Sequence, residues 1–140
     1  MNPRTITRVA LIYLALVSAQ IGLWAMLAPQ SFYDGFPGFG RAWVAVDGPF
    51  NEHLVRDVGA LNVALTVVLV AAAVRMTREL VMVAGAASLA WGVPHLIYHL
   101  FNSEGLEGGD IVFSLGGLAA FVVLAAGLFW TGRGFGETAA

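Results

Sequence analysis

Four ionisable side chains stand close together in Glu52-His53-Leu54-Val55-Arg56-Asp57, at the mouth of a long apolar run. Helical spacing puts His53, Arg56 and Asp57 on one face, at i, i+3 and i+4. A second polar stretch, Pro94-His95-Leu96-Ile97-Tyr98-His99, offers two more imidazoles at i and i+4. Imidazoles beside carboxylates are ligands for zinc, iron, copper or manganese. His53, His95 and His99 therefore make a candidate metal set, with Asp57 or Asp110 as a fourth ligand or a group that orients one. A haem held by His53 and one histidine of the later stretch is a second possibility. Two readings need no metal: polar packing that locks helices together, and a pocket for a small organic molecule or lipid head group. Neither stretch carries a specific motif, since H-x-x-x-H lacks the glutamate of the zinc-protease signature.

Composition says where such groups must sit. The chain has 140 residues, enough for one compact unit. Hydrophobic residues make up 59% and charged residues 11%, too little charge to cover a soluble surface. Lipid is the expected solvent. The chain has no cysteine, which removes disulfides and thiolate metal sites. Its net charge of −2 and the lack of a basic tract give no footprint for nucleic acid.

Four membrane-length segments are predicted, making an all-α, integral membrane four-helix bundle. They run over about 9–28, 54–74, 80–101 and 111–130. Residues 1–8 read as a short polar leader. A signal peptide is disfavoured, because the first apolar run is too long and no A-x-A site follows it. Pro29 is expected to end the first span, and Pro94 to kink the third just before His95. Residues 30–52 form a long connection dense in aromatics and glycine. Rings at that density fit an ordered flap in the head-group region, or a plain interfacial anchor.

Arg4, Arg8, Arg75, Arg78 and Arg133 fall on one side of these spans, and only Arg41 and Arg56 on the other. Excess arginine in short loops marks the cytoplasmic side, so both termini are expected inside and the aromatic loop outside, in an inner (plasma) membrane. The polar residues of the spans then all belong to the outer half. Gln20 and Trp24 come from the first helix, His53, Arg56, Asp57 and Asn62 from the second. His95 and His99 come from the third, and Asp110 from the start of the fourth. Ionisable groups in spans are costly and usually face the bundle interior, so one outward-facing polar pocket is the expectation. Small residues at four-residue spacing, such as Ser18 and Gly22 or Ser88 and Gly92, permit close helix approach. A homo-oligomer is compatible with this pattern, as is a proton-relay isomerase or transporter using the histidines and aspartates.

The runs PQSFYDGFPG (29–38), GPFNEHLVRDVGALN (48–62) and PHLIYH (94–99) resemble a group of small bacterial four-helix membrane proteins, broadly similar to the DoxX-like families. The resemblance covers most of the chain and is most specific in the second run. It implies the four-span topology. DoxX relatives are linked to thiosulfate:quinone oxidoreductase, but no quinone-site motif matches here residue by residue, so a redox role rests on fold analogy alone. A lipid, a quinone-like molecule or a partner subunit held in the outer pocket is the binding alternative.

Overall fold

The computed structural model describes residues 2–134, and they are helical apart from Asn2, the single residue Ala28, one long connection (36–51) and two short ones (76–77 and 102–108). The order is α1 (Pro3–Leu27), α2 (Pro29–Gly35), α3 (Glu52–Arg75), α4 (Arg78–Phe101) and α5 (Gly109–Gly134). Four of them, α1, α3, α4 and α5, are long and apolar enough to cross a membrane. Large apolar side chains such as Leu16, Leu61, Val67, Val83 and Val123 stay exposed around the bundle, as a lipid-facing surface requires. The chain is a multi-pass membrane protein.

Local chemistry sets the helix ends. The supposed polar leader is mostly helix. Asn2 caps α1 by accepting from the Arg4 N–H at 3.0 Å, and Pro3 takes the first helical position, where its missing N–H costs nothing. Pro29 both stops α1 and starts α2, a short helix that the loop reading did not anticipate. Asn51 caps α3 through Leu54 N–H at 3.1 Å. Met76 closes α3 in the left-handed region, and Thr77 opens α4 immediately after it. α4 continues through Pro94.

The helices pack as two pairs. α1 lies chiefly on α3 and α4 chiefly on α5, with thinner contact between the pairs. Glycines set both seams. A Cβ at Gly59 would stand 2.5 Å from the backbone nitrogen of Met26, and one at Gly22 would stand 2.8 Å from that of Val63. Gly85 does the same against Phe129 N at 2.7 Å in the second pair. These are backbone-to-backbone approaches of the small-residue kind.

The two pairs close on each other at the end of the bundle holding the N-terminus and the α3–α4 turn. Leu11, Leu14, Leu69, Val81 and Leu128 form a solid core there. At the opposite end, where α1 and α4 finish, a smaller cluster of Ala25, Phe32 and Val55 lies under α2. The space between the pairs is left open at that end.

Candidate functional site

That space is a cavity of about 360 Å³, walled by all four long helices and by α2 with its loop. α4 contributes a ladder of rings on one face. Trp91 stacks on His95 with centroids 4.8 Å apart, and His95 meets His99 edge-on at the same separation. The sequence explains the alignment: Ser88, Gly92, His95 and His99 follow one another at three- and four-residue steps, and the first two are buried. Phe121 of α5 packs edge-on to Trp91 at 5.0 Å. Gly117 and Ser114 continue the α5 wall one and two turns closer to the loop.

The aromatic connection makes the remaining wall. Phe32, Phe36 and Trp43 form a chain of tilted and edge-on contacts, at 4.8 Å and 6.1 Å. Trp43 N–H also donates to the Phe36 carbonyl at 2.8 Å, which folds the loop back on itself. Two polar ties hold it in place. The Tyr33 hydroxyl donates to the Gly48 carbonyl at 2.5 Å, and Arg41 forms an ion pair with Asp110 at the start of α5. The Arg41 guanidinium also lies 5.5 Å from the centre of the Phe113 ring. The loop is therefore a packed wall and not just an interfacial anchor, although Phe39, almost wholly exposed, is free to serve as one.

Because Arg41 and Asp110 are partly solvated, the tie is worth only about 1 kcal/mol. Arg41→Ala is expected to leave the bundle folded and to speed amide hydrogen exchange over residues 36–50 several-fold. Unchanged exchange there would show that the aromatic contacts hold the loop without it.

The cavity is mostly apolar, with a few polar groups. Among the described residues, Asp47 is the sole carboxylate along its wall, and His95, His99, Trp43, Tyr13 and Ser114 supply the other side-chain polar atoms. Two of these are buried without a hydrogen-bond partner, Trp43 Nε1 and His99 Nδ1. Leaving a buried polar group unpaired costs about 1–3 kcal/mol, so such groups call for an explanation.

The predicted single polar pocket is not what the chain builds. Of the residues singled out in the sequence, His95 and His99 reach the cavity. His53 does not. Its side chain is 89% exposed and pairs with Asp57 at 3.3 Å. The buried stripe of α3 runs Val55, Gly59, Asn62, and His53 stands two residues from it, about 200° around the helix. Arg56 points to the neighbouring helix: it donates to the Met26 carbonyl near the end of α1, and to Glu52 at 2.9 Å. A cation at that position offsets the helix dipole and uses one of the last free carbonyls.

Gln20 is exposed, opposite the buried face of α1. Trp24 donates to Ser31 Oγ at 3.2 Å and packs edge-on to Phe32, so it supports the loop instead of lining the cavity. Asn62 is buried, 1% exposed, with its amide donating to the Val58 carbonyl at 3.0 Å and its Oδ1 unpaired. Asp110 is engaged by Arg41. Among the described residues, no three His, Cys, Asp or Glu side chains stand together as a metal would need. The His53, His95 and His99 set is thus not assembled, and His53 shares no cavity with a histidine that could oppose it across a haem.

Sequence reading passed over Trp43 and Asp47 as site residues. They sit in a connection without periodicity, and the one available signal was its density of rings. Compared with protein families, with curated proteins and with solved structures, the chain finds no match in any of the three.

Proposed function

We propose that this protein binds a small, ring-bearing and largely apolar molecule with carbonyl oxygens, of the quinone class, in the cavity between its helix pairs. The supporting observation is a largely aromatic wall that includes Trp43 and His99, whose Nε1 and Nδ1 are buried and unpartnered. The indole N–H can only donate. An imidazole with its proton on Nδ1 donates as well. Two donors on an apolar wall suit a flat ligand with acceptor oxygens, and the rings of Trp91, His95 and Phe121 offer stacking faces. Such a molecule partitions into the bilayer and enters between helices. The resemblance to DoxX-like families, with their link to quinone chemistry, supports the same class.

The orientation follows from charge. Arg4, Arg8, Arg75, Arg78 and Arg133 gather at the terminus end, whereas Arg41 and Arg56 at the loop end are each paired with a carboxylate. In our reading the terminus end is cytoplasmic and the cavity lies in the outer half of the inner membrane.

Binding of a short-tailed benzoquinone to the detergent-solubilised protein tests the proposal. Trp43→Phe and His99→Leu keep most of the packing and delete one donor each. Each is expected to weaken binding about tenfold, the worth of one hydrogen bond in a dry site. Affinity unmoved by either substitution would discard the reading.

A further inference from the structure

The opposite end of the bundle holds a second concavity, of about 460 Å³, lined by Arg4, Thr5, Arg8, Val9, Ile12, Arg75 and Met76. Three arginines line it, two from the first turns of α1 and one the last residue of α3. Arg8 is anchored, since its Nε donates to the Ala73 carbonyl at 3.1 Å, which leaves the terminal nitrogens of its fork for another acceptor. Among the described residues, no carboxylate lines the concavity. Below the arginines the wall turns apolar, and Val9, Ile12 and then Leu16 run exposed down α1 on the outside of the bundle.

We propose that this is a binding site for the head group of an anionic phospholipid. Planar guanidiniums bind phosphate oxygens with paired hydrogen bonds, and basic pockets at the ends of membrane helices select anionic lipids. The exposed strip of Val9, Ile12 and Leu16 gives the acyl chains a track that begins at the arginines. A free phosphate would use the charge and leave that strip unexplained, so a lipid is the occupant. The site lies at the far end of the molecule from the aromatic cavity and does not depend on what that cavity holds.

Native mass spectrometry of the full chain, with phosphatidylglycerol or phosphatidylcholine added to the micelle, tests the assignment. Phosphatidylglycerol is expected to be retained about a hundredfold more tightly than phosphatidylcholine. Each arginine near the surface contributes roughly a fivefold preference, so Arg4→Gln/Arg8→Gln/Arg75→Gln should lose about a hundredfold. The double variant Arg4→Gln/Arg75→Gln keeps the bond from Arg8 to Ala73, so it carries the test without disturbing the helix seam; its expected loss is roughly thirtyfold. Arg78→Gln, an equal loss of charge outside the concavity, should change little. Equal retention of the two lipids, or full retention in the double variant, would overturn the proposal. So would displacement of the lipid by inorganic phosphate at equal concentration, which would mark a free-anion site.

Discussion

Gly59→Leu is expected to separate α1 from α3 and leave little folded protein. A single Cβ at this position would already stand 2.5 Å from the Met26 nitrogen and 2.9 Å from the Gly22 carbonyl, both backbone atoms that cannot rotate away. Overpacking a close-fitted interior costs about 1–3 kcal/mol where side chains can adjust. Here the helices themselves must move apart, so even Gly59→Ala should lose about 3 kcal/mol, and leucine more. Gly116→Ala is the control, because a Cβ there meets nothing within 4 Å. Denaturant titration in mixed micelles reads both. If Gly59→Leu unfolds at the wild-type midpoint, the α1–α3 seam is not the tight contact described.

Gly117→Phe is expected to do the reverse, sparing the fold and abolishing ligand binding. Gly117 lies between Ser114 and Phe121 on the face of α5 that lines the cavity, and a Cβ there also meets nothing within 4 Å. A phenyl group would occupy the space assigned to the ligand. Affinity for a short-tailed benzoquinone should fall at least about a hundredfold, more than deletion of either donor, because filling a pocket removes stacking and hydrogen bonding together. Thermal stability should stay within about 1 kcal/mol of wild type. Binding that survives this substitution would place the ligand elsewhere.

The two outcomes depend on glycines that look alike in the sequence, which shows how far reading the chain can go. The four spans were legible because lipid demands long apolar runs, and the observed helices contain nearly all of each predicted segment. The faces were less so. In α5 the buried Ser114, Phe121, Ala125 and Leu128 sit among equally apolar lipid-facing residues, since the core and the bilayer ask for the same side chains. His95 and His99 could be placed because polar groups within a span tend to face the interior, and they share a face with the buried Ser88 and Gly92. His53 and Asp57 were misplaced for the opposite reason. At a helix end, polar residues are tolerated on any side, so shared spacing says that they face one another and not that they face inward. Arg56 shows a further limit: besides Glu52, its partner is a main-chain carbonyl of α1, which no side-chain pattern records.

The loop was the hardest part to read. Its rings were visible, yet the fold of Phe32, Phe36 and Trp43 into a cavity wall depends on contacts with α1 and α3 that local sequence does not specify. Trp43 and His99 become partners in one site only after that folding.

Tryptophan fluorescence offers the most direct test of the ligand site, because Trp43 and Trp91 both line it. Titrating a short-tailed benzoquinone into the purified wild-type protein should give a saturable quench, with the saturable part missing in Gly117→Phe. A quench that grows linearly without saturating, or one that Gly117→Phe retains in full, would contradict a ligand held between the helix pairs.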